Sequence, residues 1–231
     1  MTQPSTNGGT PASSGRTPAQ GNRLDPWYDV YADRAHNLRA SEIRALFSVV
    51  SRPEVVSLAG GMPNLKDLPL DKLAASAEKL VRNHGAQAMQ YGSGQGWEVL
   101  RERITEVMGY DGIVGADPDD VVVTTGSQQA LDLVTELFVN PGDVILAEAP
   151  SYVGALGVFR ARQADIVHVP MDEHGIIPEA LEETIRSVRA SGRTIKFIYI
   201  IPNYHNPAGV TLSAERRPII AEICLREHVL I

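Results

Sequence analysis

The segment Thr124-Thr125-Gly126-Ser127-Gln128-Gln129-Ala130 carries the first chemical signal in the chain. It follows the apolar run Val121–Val123 and leads into a helical pattern, so a strand, a glycine and a polar pair open onto a helix. The first amides of a helix lack acceptors and its N-terminal end is partially positive, which suits an anion. Gly126 allows close approach to the backbone, while Ser127 and Gln128 can add side-chain donors. The same serine could equally cap the helix with no ligand at all. A second segment, Asn203-Tyr204-His205-Asn206-Pro207-Ala208-Gly209, follows the apolar run Ile195–Ile201. Asn-Pro-x-Gly closes a turn and leaves the Asn206 amide free to meet a ligand, although the bare tetrapeptide is also an ordinary turn. Three more segments hold small or aromatic residues at chain reversals: Ala59-Gly60-Gly61-Met62-Pro63, Gln90-Tyr91-Gly92 with Leu100-Arg101 beyond it, and Glu148-Ala149-Pro150-Ser151-Tyr152.

The elements that must position these residues change character along the chain. Residues 1–22 are rich in Thr, Pro, Ser, Gly and Gln, and their sparse apolar surface predicts a disordered tail. A helix is expected from Ser41, with Ile43, Leu46, Phe47 and Val50 on one stripe. Two more amphipathic helices are expected over 71–83 and 97–108, separated by the glycine-rich Tyr91-Gly92-Ser93-Gly94-Gln95-Gly96. Those glycines follow no strand, so they fail as a dinucleotide fingerprint. Beyond Asp117-Pro118 apolar runs alternate with helical patterns: strands at 121–124, 143–147, 165–169, 195–201 and 229–231, and helices at 127–139, 151–162, 178–190 and 214–227. Such alternation predicts a mainly parallel sheet with helices on both faces. Pro218 removes a helical hydrogen bond, so the last helix is either kinked or starts later than Ser213.

Composition narrows the classes of function. The net charge of −7 across 231 residues carries no block of like charge, which argues against a nucleic acid or an anionic membrane as partner. No apolar run approaches the roughly 20 residues of a membrane helix, so the expected location is the cytoplasm. Cys224 stands alone and reads as core. His36, His84, His168, His174, His205 and His228 have no ligand spacing, so no metal site is expected. His205 adjoins Asn206, but adjacency alone assigns it no role.

Taken in order, the five segments make the chain, from about residue 30 onward, resemble the fold-type I pyridoxal-phosphate aminotransferases of class I/II. Within them it is most similar to the 2-aminoadipate aminotransferase group, through Ala40-Ser41-Glu42-Ile43-Arg44, Thr124 to Leu133 and Ala149-Pro150-Ser151-Tyr152. The resemblance implies an α/β fold: a helical N-terminal arm over 23–112, then the first half of the large cofactor-binding domain over 113–231. It implies that Gly126, Ser127 and Gln128 hold the phosphate of pyridoxal 5′-phosphate, that Tyr152 lies against its ring and that Asn206 donates to the ring's phenolic oxygen. Tyr91 is similar to the tyrosine that reaches the phosphate bound by the other subunit of a homodimer. Gly60 and Gly61 look like the turn that meets the substrate's carboxylate end. Arg44 would select a second carboxylate, since a guanidinium fork suits one. An amino acid and a 2-oxo acid would be the substrates.

The same resemblance places the lysine that holds the cofactor, and the carboxylate beside the ring nitrogen, beyond Ile231. No catalytic residue is therefore expected within this chain. Of Lys66, Lys72, Lys79 and Lys196, none follows a strand in a Ser-x-x-Lys setting. The last expected strand has three residues where five or six are usual, so the chain reads as an N-terminal fragment, inactive alone. The resemblance also pairs 121–124 with strands from later in the family chain. Three alternatives remain: a lyase of the same fold, an effector-binding module without chemistry, and a transcription regulator, the last disfavoured by the absence of a basic DNA reader upstream.

Overall fold

The strand β1 (Val144–Ala149) has its first five side chains buried, and its alternation divides the core in two. Val144 and Leu146 point to one face of the sheet, and Ile145 and Ala147 to the other. A strand covered on both faces can be apolar throughout, which is why this run shows no polar alternation. The computed structural model describes residues 25, 27–36, 52, 54–56, 65 and 67–231. The expected tail over 1–22, the helix from Ser41, Arg44, and the turn with Gly60 and Gly61 lie outside the described residues.

The chain divides into two units, Met1–Asn37 and Leu38–Ile231. In the first, a 3-10 turn (Tyr28–Val30) precedes α1 (Asp33–His36). There Tyr31 Oη donates to Asp25 Oδ2 at 2.7 Å, a bond that raises the pKa of the Tyr31 hydroxyl.

Among the described residues of the second unit, the first helices are α2 (Leu70–Ala88) and α3 (Glu98–Tyr110). Both were expected, α2 being longer than its pattern suggested. Their apolar stripes stay largely open: Leu73, Leu80, Val81, Leu100 and Val107 are all exposed. The alternating part follows: α4 (Ser127–Phe138), β1, α5 (Val153–Ala161), β2 (Asp165–Asp172), β3 (Gly175–Ile176), α6 (Pro178–Ala190), β4 (Ile195–Tyr199) and α7 (Arg216–Arg226). The sheet order is β3-β2-β1-β4, with β1 parallel to β2 and β4 and the short β3 antiparallel to β2. Leu230 forms a parallel bridge to Phe197, so the last residues begin a further strand beside β4. Leu181, Ile185 and Val188 of α6 and Ile220, Ile223 and Cys224 of α7 cover one face. Ala155, Leu156, Val158 and Phe159 of α5 cover the other. Burial pushes the Cys224 thiol up to about 11, as suits a core cysteine. Helix α7 starts at Arg216, which puts Pro218 in the first turn, where its missing N–H has no intrahelical acceptor to lose.

One expected strand does not form. Val121 is extended, but among the described residues no strand pairs with Val121–Thr124, and the flank of β4 carries Leu230 instead. Instead Val123 N–H donates to Gln95 O at 2.7 Å, which ties the segment to the glycine-rich turn.

The chain leaves β1 toward β2 and returns to its other side as β4, so strand order reverses between β1 and β4. In open α/β sheets the crevice beyond the carboxyl ends of two such strands is where ligands bind. Two neighbouring arginines of α7 brace this end. Arg217 Nη2 donates to Asn203 Oδ1 at 2.6 Å and its Nε to Leu212 O at 3.1 Å, holding both ends of the loop that contains Asn206. Arg216 makes a bidentate pair with Asp172 at 2.6 and 2.8 Å and donates to Gly175 O, fixing the β2–β3 hairpin. The Arg216 bonds hold the Asp172 carboxyl down at about 2. A carboxyl whose folded pKa is depressed adds stability at pH values above its unfolded pKa, and that contribution is lost as pH falls through the folded pKa. In urea titrations the wild-type midpoint is therefore expected to fall between about pH 4 and pH 2, with a smaller fall in Asp172→Asn. Equal slopes in the two proteins would rule the pair out as the source.

Candidate functional site

Gly126 stands before α4 with φ 88° and ψ 170°, a conformation open essentially to glycine alone. Nothing lies within 4 Å of where its Cβ would be, so the loop is open at this point. Among the described residues, the amides of Gly126, Ser127 and Gln128 donate to no backbone acceptor. Neither Gly126 nor any other side chain caps the helix, so the capping role considered for Ser127 is not taken: Ser127 is the first helical residue. The loop is locked from within by Gln129, whose Oε1 accepts from Thr125 N–H at 2.6 Å and Thr125 Oγ1 at 2.9 Å. Thr124 Oγ1 donates to Gly126 O at 3.1 Å. These bonds leave a pre-shaped helix N-terminus facing outward, which is what a phosphate or carboxylate requires.

Ser127 shares a cleft of about 650 Å³ with Leu131, Tyr152, Phe159, Tyr199 and Ile200. Its back wall is aromatic: the Phe159 ring meets Phe197 and Tyr199 edge to face, with centroids 5.7 and 5.6 Å apart. Tyr152 caps α5, and its ring lies directly over Gly154. A Cβ at Gly154 would sit 2.5–2.6 Å from three atoms of that ring. Gln128 Nε2 donates to Gly154 O at 3.3 Å, so the first turns of α4 and α5 are bridged beneath the tyrosine. Gln128 thus spends a side-chain donor on α5. The structure brings Gly126, Ser127, Gln128 and Tyr152 together as expected.

Asn206 is exposed in the loop after β4 and does not line the cleft. Its loop is nonetheless anchored to the same strand end. The neighbouring His205 is buried, with Nε2 3.0 Å from Glu148 Oε2 near the end of β1. Ile201 N–H donates to the same Glu148 oxygen at 2.8 Å. Burial pushes the Glu148 carboxyl up to about 7, partly opposed by that amide, and pushes the His205 imidazolium down. Burial likewise raises Tyr199, assisted by Tyr152 and Glu148. Ser151 Oγ, between Glu148 and Tyr152 in the chain, is buried with no partner. The peptide bonds Ala149–Pro150 and Asn206–Pro207 are both cis.

Tyr91 is fully exposed and lines a separate hollow with His84, Trp97 and Arg101. The segment around it is still linked to the anion loop. Gly96 has φ 103°, and a Cβ there would come within 2.6 Å of the Val123 side chain. Arg101 Nη1 donates to Pro118 O at 2.6 Å and pairs with Asp119 Oδ1 at 2.9 Å. Arg44, Gly60 and Gly61 lie outside the described residues, so nothing places them at the cleft. The residues that sequence reasoning missed are Gln129, Gly154, Arg101 and the pair Glu148–His205. Gln129, Arg101, Glu148 and His205 stand in segments already singled out, but nothing local announces their partners, and Gly154 shows only as a glycine two positions after a tyrosine.

Gly154→Ala is expected to expel the Tyr152 ring from its seat and to lower stability by about 1–3 kcal/mol through overpacking. In the same helix Gly157 has open space around it, so Gly157→Ala is expected to be neutral or slightly stabilising. Urea denaturation of the two variants checks this, and equal midpoints would contradict the close approach.

Comparison with known proteins agrees with this geometry. Residues 53–231 match the model of the family described as aminotransferase class I and II. The aromatic-amino-acid aminotransferase 1 of Thermococcus litoralis is 37% identical over 193 residues, covering 84% of this chain and 46% of that protein. The 2-aminoadipate transaminase of Thermus thermophilus is 37% identical over 183 residues, covering 79% of this chain and 43% of that protein. Among solved structures, the kynurenine aminotransferase of Pyrococcus horikoshii, in complex with PMP, superposes with a TM-score of 0.81 at 34% identity, covering 90% of this chain and 51% of that one. The chain therefore spans about half the length of the relatives it matches. Its fold agrees with theirs, and the match extends over the anion loop, the Tyr152 turn and the Asn206 loop: the chain belongs to the class I and II aminotransferase family.

Proposed function

We propose that this chain forms part of a pyridoxal-phosphate-dependent aminotransferase that moves an amino group from an α-amino acid to a 2-oxo acid. The observation that carries the reading is the outward-facing N-terminus of α4, with the glycine-only conformation of Gly126, beside an aromatic cleft between α4 and β4. The site fits the cofactor: an open anion seat at Gly126, a ring wall at Tyr152, and an unpartnered buried hydroxyl at Ser151. When bound, the cofactor supplies a protonated pyridine ring that takes up the electron pair left as a substrate Cα–H bond breaks.

The chain's own residues would bind and orient. The amides of Gly126, Ser127 and Gln128 and the Ser127 hydroxyl would hold the phosphate, against the positive end of α4. Tyr152, resting on Gly154, would present its face to the ring, and Asn206 would donate to the ring oxygen. Tyr91, exposed on its own turn, would serve the site of a second copy in a homodimer. Gly60 and Gly61 would meet the substrate carboxylate and Arg44 its side chain, consistent with acidic or branched amino acids. The relatives' names range from aromatic amino acids to 2-aminoadipate, so the substrate is defined here only as an α-amino acid.

A lysine must hold the cofactor and move the substrate proton. Among the described residues none is placed for this. Lys196 pairs with Asp143 at 3.3 Å, at the opposite ends of the strands, and Lys72 and Lys79 lie on the exposed helix α2. The 231-residue chain by itself is expected to turn over no amino acid. Borohydride treatment in the presence of the cofactor should then leave no single lysine modified, and specific fixation accompanied by turnover would refute this.

The phosphate assignment has its own test. Ser127→Ala is expected to weaken pyridoxal 5′-phosphate binding about tenfold, the cost of one lost hydrogen bond to a charged group, while leaving pyridoxal binding unchanged. Equal losses for both ligands, measured by equilibrium titration, would place the phosphate elsewhere.

A further inference from the structure

His205 was left without a role by its sequence context, and the aminotransferase reading assigns it none. Its surroundings are unusual. His205 and Glu148 are each 1% exposed, a carboxyl and an imidazole removed from water together. Ala208 N–H donates to His205 Nδ1 at 3.3 Å, which makes Nδ1 the acceptor and leaves the ring proton on Nε2, the nitrogen facing Glu148. Nε2 lies 3.0 Å from Glu148 Oε2, a close contact that lacks hydrogen-bond geometry and leaves the ring N–H otherwise unpartnered. Glu148 Oε2 also accepts from Ile201 N–H, and the Glu148 carbonyl lies 3.1 Å from His168 Nδ1. The pair therefore ties the end of β1 to both the start and the tip of the loop after β4.

Stability alone gives little reason for this arrangement. Burying such groups is costly, and well-packed apolar residues of the same volume commonly do as well or better. The pair differs in that each member also accepts a directional bond from a backbone amide, Glu148 from Ile201 and His205 from Ala208, so their close contact holds two segments at one spacing. The two segments here are those leading to Tyr152, four residues after Glu148, and to Asn206, one residue after His205.

We infer that Glu148 and His205 are a positioning pair, which fixes the spacing between the Tyr152 wall and the Asn206 turn so that both can meet one flat ring. The inference rests on the cofactor reading above. Neither residue of the pair touches the ring. They act through the backbone amides of Ile201 and Ala208, which they hold directly. Close to the pair, His168 Nδ1 lies 3.1 Å from the Glu148 carbonyl, and the Tyr199 hydroxyl on β4 interacts electrostatically with Glu148. Since burial brings the Glu148 carboxyl to about 7, acidification through that value protonates the acceptor that holds Ile201.

The test uses the whole chain and pyridoxamine 5′-phosphate, an amine that cannot react with lysine. Titrations are combined with amide hydrogen exchange by NMR on wild type, His205→Ala, His205→Leu, His205→Gln and Glu148→Gln. His205→Ala is expected to speed exchange at Ile201 and Ala208 about tenfold and to weaken pyridoxamine 5′-phosphate by a similar factor. His205→Gln, which keeps a donor and an acceptor, should restore most of both. His205→Leu, which restores only volume, should restore neither. Wild-type protection at Ile201 should fall as pH drops through about 7 and stay level in Glu148→Gln. Full binding by His205→Leu would overturn the positioning role alone and leave the cofactor site standing. Failure of the wild type to bind pyridoxamine 5′-phosphate would overturn the cofactor reading and the inference with it.

Discussion

The double burial of β1 is the constraint on which the rest depends. Once Val144 and Leu146 commit to α6 and α7, and Ile145 and Ala147 to α5, no ligand can approach β1 from either face. The remaining approach is beyond the strand ends, and there the β1–β4 switch separates the connecting loops. Among the described residues, three candidate elements gather there: the α4 N-terminus, the Glu148–Tyr152 turn and the Asn206 loop. The residues that do none of the binding chemistry decide where it takes place.

Within that opening the protein uses backbone more than side chains. Gly126 exposes amides, and Gln129 spends its side chain holding the loop in shape. Gln128 reaches across to Gly154, so part of the anion loop supports the aromatic wall. The starts of α4 and α5 are thus joined by one continuous set of bonds. Fixed dipoles and short loops need little reorganisation when a ligand arrives, so less binding energy goes into ordering the site.

Much of this was legible in the sequence. Helix α6 matches its pattern from Pro178 to Ala190, because a proline opens it and Leu181, Ile185 and Val188 repeat at helical spacing. Strands β1, β2 and β4 were readable as Val- and Ile-rich runs between turns. The run Val121–Thr124 looked the same and failed, because a strand is defined by its neighbours, which local composition does not report. The stripes of α2 and α3 were correctly read as amphipathic, yet their burial depends on a surface that periodicity cannot supply. At the candidate site, the glycine turn at Gly126 and the helix start at Ser127 were legible because their backbone geometry follows from what lies beside them in the chain.

The Glu148–His205 pair was illegible for the complementary reason. The two residues are 57 positions apart, and each has an ordinary local explanation, a strand end and a turn. Their meaning arises only when the β1–β4 crossover brings them within 3.0 Å and removes the water from both. Removal of water changes the chemistry as much as proximity does, since it moves a carboxyl from its ordinary range to about 7. A residue whose protonation near neutrality depends on how two strand ends meet cannot be recognised from its neighbours in sequence. It can be recognised from the fold, and here the fold puts it between the two loops that the site most needs to keep aligned.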